Sequence, residues 1–305
     1  MPDSATVGIP LARLRLRLAR TFALLFSACL CATASAATTL TASTLLIAPE
    51  YRLPETASPR PAKLAIVIDD VGYNLARGER LLALPKELTL GVLPYAPFTR
   101  EIARQANRAG REIILHQPME PLEETQREPG TLELRMTATR FDAALGEALA
   151  RLPEASGVNN HTGSLLTARR EPMERLMGSI ARRGLYFLDS RTTPDSVAES
   201  TARAYAVPTI RRDVFLDHVR TTESLAAAFE QSLEIARRRG HAVVIAHPYD
   251  ITLDFLEHRL ARLPADVELI SLGALVEPLS RPPVPDRRAL ALHESPASRY
   301  RSPDR

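Results

Sequence analysis

No tryptophan occurs in the 305 residues, and aromatic residues make up only 5% of them. A sugar-binding platform built on stacked indoles is therefore excluded. Cysteine is almost as scarce. Its two occurrences, Cys29 and Cys31, fall within the first 36 residues. The rest of the chain has no disulfide framework, no thiolate nucleophile and no thiolate zinc ligand. Excess charge is small, +3 in total, and it has a local source. Residues 1–36 carry Arg13, Arg15, Arg17 and Arg20 against Asp3, and beyond them basic and acidic residues are equal in number. A body without net positive charge argues against nucleic acid as a partner, because phosphate binding needs a concentrated basic surface. A long apolar run is missing too: Phe22–Leu30 falls short of the roughly 20 residues that span a bilayer.

What the N-terminus does contain is an arginine-rich stretch, that short apolar run, and Ala34-Ser35-Ala36, the small-x-small pattern read by a signal peptidase. Residues 1–36 are expected to be a cleaved signal peptide. This places the mature protein in the periplasm or outside the cell, with no stable membrane span after removal. Residues 37–62, rich in Thr, Ala, Ser and Pro, read as a linker, and 281–305 as a disordered tail.

Between these flanks, residues 63–280 alternate short apolar runs with amphipathic segments. The runs are Leu64–Ile68, Leu88–Leu93, Glu112–Leu115, Ser156–Asn159, Leu185–Leu188, Val207–Ile210, Ala242–Ala246 and Val267–Leu272. The segments between them, among them Phe98–Ala109, Arg140–Arg151, Pro172–Arg183, Ser224–Arg239 and Ile251–Arg262, carry the i, i+3, i+4 apolar spacing of helices. Such alternation predicts an α/β fold with about seven parallel strands, closed into a (β/α) barrel or open and doubly wound. Pro118–Met136 interrupts the rhythm as a long insertion where a substrate loop could sit.

In parallel α/β folds the working groups gather at the carboxyl ends of strands. Here those ends read Asp69-Asp70, Pro94-Tyr95, His116, Asn160-His161, Asp189 and His247. Taken singly, each has an ordinary reading as a turn, cap or satisfied polar residue. Together they place Asp and His repeatedly at one end of the sheet, where burying them is costly unless partners or a metal compensate. Asp and His without Cys suit zinc or another divalent first-row ion. His241, His258 and His293 lie away from strand ends, and His218 is undecided between the two settings.

Ile66-Val67-Ile68-Asp69-Asp70-Val71-Gly72, His116-Gln117-Pro118-Met119-Glu120-Pro121, Gly157-Val158-Asn159-Asn160-His161-Thr162-Gly163-Ser164, Phe187-Leu188-Asp189-Ser190 and Ala246-His247-Pro248, in this order, resemble the divergent polysaccharide deacetylase family of the NodB-like superfamily. The resemblance implies a distorted (β/α) barrel and metal-dependent hydrolysis of N- or O-acetyl groups on an acetylated polysaccharide. It implies Asp69 as base, Asp70 as metal ligand and His247 as acid. His116 matches the first histidine of the superfamily's His-x-x-x-His motif, but the second position is Glu120. His161 or Glu120 completes the ligand set; Pro118 and Pro121 favour His161, because they oppose a helical pairing of His116 with Glu120. Asp189 would orient His247 or a sugar hydroxyl. The Glu120 departure keeps a second reading open, a non-catalytic glycan-binding or envelope-scaffold protein on the same fold. A glycosidase using Asp69 and Asp189 would need no surrounding histidines.

Overall fold

Strand and helix alternate through the whole of the computed structural model, which describes residues 60–124 and 126–280. The expected signal peptide, most of the linker and the tail lie outside the described residues. The strands are β1 Ala62–Val71, β2 Thr89–Val92, β3 Ile113–Met119, β4 Gly157–Thr162, β5 Tyr186–Asp189, β6 Thr209–Arg211, β7 Val214–Phe215, β8 His241–Ala246 and β9 Val267–Leu269. The helices are α1 Leu75–Ala83, α2 Thr99–Arg108, α3 Ala138–Arg151, α4 Arg170–Ala181, α5 Ala198–Ala204, α6 Thr222–Arg239, α7 Asp250–Leu260 and α8 Leu272–Ser280.

All pairings are parallel, in the order β6-β5-β4-β3-β2-β1-β8-β7, with β9 beside the start of β1. The sheet curls so that its two edges, β6 and β7, are neighbours in the chain. Between them the Arg212 backbone N–H donates to Asp189 O of β5 (3.0 Å), and the next N–H, of Asp213, donates to Val243 O of β8 (2.8 Å). One bulged stretch therefore serves both edges, and the sequence expectation of about seven strands describes the same barrel. The expected run Val207–Ile210 is displaced to Thr209–Phe215 for this reason.

Strand side chains alternate between two faces. Outward, Leu64, Ile66, Ile68, Leu90, Ile113, Leu115, Val158, Phe187 and Val244 pack in the large core under the helices. Inward, Ala65, Val67, Ile114, Leu188, Ile210, Val243 and Ile245 form a second, smaller cluster with Leu272, Leu275 and Val276 of α8. That helix closes the amino-terminal end of the barrel. Its Gly273 N–H donates to Glu112 Oε2 at 2.9 Å, and Tyr186 OH donates to Glu112 Oε1 at 3.1 Å.

Helix ends follow ordinary capping. Asn74 accepts from Arg77 N–H at the start of α1, and Thr221 from Ser224 N–H at the start of α6, which stops at Gly240 in the left-handed region (φ 81°). Helix α1, with Asn74 at its start, packs on α2 through Gly78. A Cβ there would stand 2.6 Å from Ile102 Cδ1, so close packing of α1 on α2 requires the glycine. Helices α5 and α8 are too short for periodicity to reveal, and α8 replaces the end of the expected final strand.

Candidate metal centre and active site

The inward faces of the strands run directly into polar groups. After Ala65 and Val67 comes Asp69; after Ile114, His116; after Leu188, Ser190; after Val243 and Ile245, His247. On β4, Asn159 and His161 share one face by the same alternation. The parallel register sets His116 level with Asn159 and Pro118 level with His161.

Consecutive residues on a regular strand point to opposite faces, so Asp69 and Asp70 should not both reach the interior. They do so because pairing of β1 with β2 shifts register between Ile68 and Val71, and Asp70 adopts a left-handed conformation (φ 55°). Gly91 of β2 leaves room for the result: a Cβ at that position would lie 2.0 Å from Asp69 Oδ1.

Asp70, His116 and His161 converge. Asp70 Oδ1 is 2.9 Å from His161 Nδ1 and 3.2 Å from His116 Nε2, and the two nitrogens are 3.0 Å apart. Asp70 Oδ1 is buried, yet no aligned N–H or O–H donates to it. Two imidazole nitrogens and an orphaned carboxylate oxygen, with one ligand atom from each residue lying within 4.8 Å of the others, fit a divalent cation.

Asn159 determines which nitrogen His116 presents. Its Nδ2 donates to both Asp69 oxygens, at 3.0 and 2.9 Å, so its Oδ1 faces His116 Nδ1 at 2.9 Å and must accept from it. His116 is thereby protonated on Nδ1 and turns its Nε2 lone pair toward Asp70 and His161, the arrangement of a metal-ligating histidine with an outer partner. Asp69 is 2% exposed. Burial raises its pKa above the usual carboxylate range, against the opposing charges of His116 and His247 and the Asn159 bond. Asp70 is also pushed up by burial, but the two imidazoles beside it outweigh that and hold it well below the usual range.

His247 stands 4.0 Å from Asp70, Nε2 to Oδ2. Its orienting partner is Asp217, which accepts from ring Nδ1 at 2.8 Å and from the His247 backbone N–H at 2.6 Å, and is itself held by Thr252 Oγ1 at 3.0 Å. Burial lowers the His247 pKa, but the Asp217 bond and charge, with Asp70 and Asp69 behind them, raise it to about 9.

Of the expected groups, Asp189 and the alternative ligand Glu120 lie outside the cluster. Asp189 does not reach His247. It has the outward parity between inward Leu188 and Ser190, and its carboxylate accepts from Arg191 N–H (2.9 Å), Ser196 Oγ (2.8 Å) and Glu199 N–H (3.4 Å). Asp189 therefore ties down the loop before α5. Glu120 is not part of the cluster either: Arg127 donates to its Oε1 at 2.6 Å and Leu134 N–H to its Oε2 at 2.7 Å, so it fastens the insertion. His218 is exposed, in the stretch between β7 and α6. Asn159, Ser190 and Asp217 had no assigned role in the sequence reading. The inward alternation along β4, β5 and β7 is the signal that finds them.

A curled parallel α/β barrel with an Asp-His-His cluster, a buried carboxylate and an Asp-held imidazole at its carboxyl end has the groups of a hydrolase-like protein. The chain belongs to the divergent polysaccharide deacetylase family, which it matches over residues 66–276. It is 37% identical over 214 residues to an uncharacterized protein of Haemophilus influenzae, spanning 70% of this chain and 76% of that one. It is 35% identical over 229 residues to the Escherichia coli protein YibQ, spanning 75% and 72%. A solved structure of an uncharacterized Agrobacterium tumefaciens protein superposes with a TM-score of 0.67 at 28% identity, covering 72% of this chain and 91% of that one. Among the described residues no helix is long and apolar enough to cross a membrane.

Proposed function

We propose that the protein is an exported, metal-dependent hydrolase that removes acetyl groups from an envelope or extracellular polysaccharide. Asp70, His116 and His161 hold the ion, zinc or another divalent first-row metal. The observation that carries this reading is the convergence of those three ligand atoms beside a buried carboxylate and an Asp-held imidazole. The ion supplies Lewis-acid activation of water and of the acetyl carbonyl.

Asp69 acts as general base on the attacking water. In support, its carboxylate is buried beside the ligand cluster, oriented by Asn159, and its raised pKa makes it a better proton acceptor. His247 acts as general acid. Asp217 takes its Nδ1–H, leaving Nε2–H to protonate the amine or alkoxide as the acetyl C–N or C–O bond breaks. His161 supplies the second imidazole that Glu120 does not, which removes the main reason to read the protein as a non-catalytic glycan binder.

Release of acetate from acetylated glycans by purified variants tests the assignment. Asp69→Asn and His247→Ala are expected to keep the metal and lose about 100- to 10,000-fold in turnover. Wild-type turnover in either variant would overturn the roles.

A further inference from the structure

At the seam where β6 runs into β7, an open cleft of about 460 Å³ is lined by Arg191, Thr193, Pro194, Arg211, Arg212 and Asp213. Arginines paired with a carboxylate, such as Arg77, Arg80 and Arg237, recur elsewhere on the described surface. The three of the cleft are poorly supplied. Arg191 and Arg212 form no ion pair among the described residues, and Arg211 reaches Glu199 only at 3.8 Å. Arg191 donates to the backbone oxygens of Ser196 (3.2 Å) and Pro194 (3.1 Å), and Arg212 to those of Ser190 (2.7 Å) and Arg191 (2.9 Å). The one acid lining the cleft, Asp213, is occupied by Arg239 and by Val243 N–H. Buried Asp189 beneath is bonded to its own loop.

The guanidinium of Arg212 carries five N–H donors, of which Nε and Nη2 meet the protein. Its Nη1 meets no acceptor among the described residues. Arg212 is also held rigidly. It lies over the Phe215 ring at 3.6 Å, and Phe215 in turn stacks on His247 with ring centroids 6.1 Å apart. A half-buried cation with unused donors, clamped by backbone carbonyls and one ring from the acid of the site, is arranged to receive an oxyanion by charge-assisted hydrogen bonds.

We propose that this cleft is a subsite for an anionic substituent, carboxylate or phosphate, on a sugar unit neighbouring the one that is deacetylated. The proposal deepens the deacetylase reading and rests on it for the word "neighbouring", but binding in the cleft does not require turnover.

The test is calorimetric binding at low salt, with Asp69→Asn protein to prevent turnover. Three acetylated tetrasaccharides serve as probes: neutral N-acetylchitotetraose, its 6-phosphorylated form, and a glycan of alternating N-acetylglucosamine and N-acetylmuramic acid. One or both anionic probes are expected to bind about tenfold tighter than the neutral one, and which of them does so separates phosphate from carboxylate. Arg211→Glu, at an exposed position that holds no backbone, and Arg212→Gln should each erase that preference while neutral binding stays unchanged. Arg211→Glu keeps the test sound if Arg212→Gln folds poorly. Equal affinity for all three probes, no binding of either anionic probe, or a preference that survives both substitutions overturns the subsite. A preference found in a protein that releases no acetate supports the subsite and counts against the deacetylase reading alone.

Discussion

Asp217 grips His247 twice, by the ring Nδ1 at 2.8 Å and by the backbone N–H at 2.6 Å, so one carboxylate sets both the position and the charge of the imidazole. Burial works to lower the His247 pKa, and Asp217 more than reverses it, to about 9. In metal-free protein, Asp217→Asn should bring the His247 titration seen by NMR down from about 9 toward the ordinary histidine range. The folded value lies above the unfolded one near 6.5, so the contribution to stability is full below about 6.5 and is lost as pH rises through about 9. Wild-type and variant stabilities should therefore draw together between these limits. A His247 titration unchanged by the substitution would contradict this assignment.

The ligand set makes a second, separable prediction. Asp70→Ala, His116→Ala and His161→Ala should each lower retained divalent metal sharply after dialysis, because a three-ligand site loses most of its chelation with one ligand removed. Glu120→Gln should keep the ion, since Glu120 is engaged by Arg127 and Leu134. Asn159→Leu, which removes the partner of His116 Nδ1, should weaken metal affinity by about 10- to 100-fold. Elemental analysis of the purified variants reads all five.

Gly91→Ala probes the space on which Asp69 depends. Its Cβ would fall 2.0 Å from Asp69 Oδ1 in a strand that packs on both faces. Overpacking of this kind costs about 1–3 kcal/mol, visible as a lower thermal midpoint. Metal binding should survive while acetate release falls, because the displaced group is the base and not a ligand. Wild-type turnover in Gly91→Ala would show that Asp69 tolerates displacement.

Asp189→Ala should behave in the opposite way. It strands Arg191 N–H, Ser196 Oγ and Glu199 N–H, which costs about 1–3 kcal/mol for each group left buried without a partner. Chemical denaturation should show the loss. His247 should keep its titration, because Asp217 and not Asp189 is its partner.

The strand–helix alternation and the strand-end positions of Asp69, Asp70, His116, His161 and His247 were legible in the sequence, because period-2 and period-3.6 patterns and turn residues are local. The division of labour between Asp189 and Asp217 was not read correctly, although parity carried it. Asp189 follows inward Leu188 and so faces the helices, whereas Asp217 shares the face of Phe215. Asp70 is the converse case. Parity alone would send it outward, and only the register shift and its left-handed backbone, which depend on pairing with β2, bring it to the site. The closure of the barrel through Arg212 and Asp213 is equally non-local, since each N–H finds a different strand.

Acetate release from an acetylated glycan, followed as the protein is stripped by a chelator and then reloaded with zinc, tests the central claim most directly. Turnover that vanishes on stripping and returns with the ion is the predicted result. Turnover indifferent to the chelator, or absent after reloading across N- and O-acetylated glycans, would contradict it.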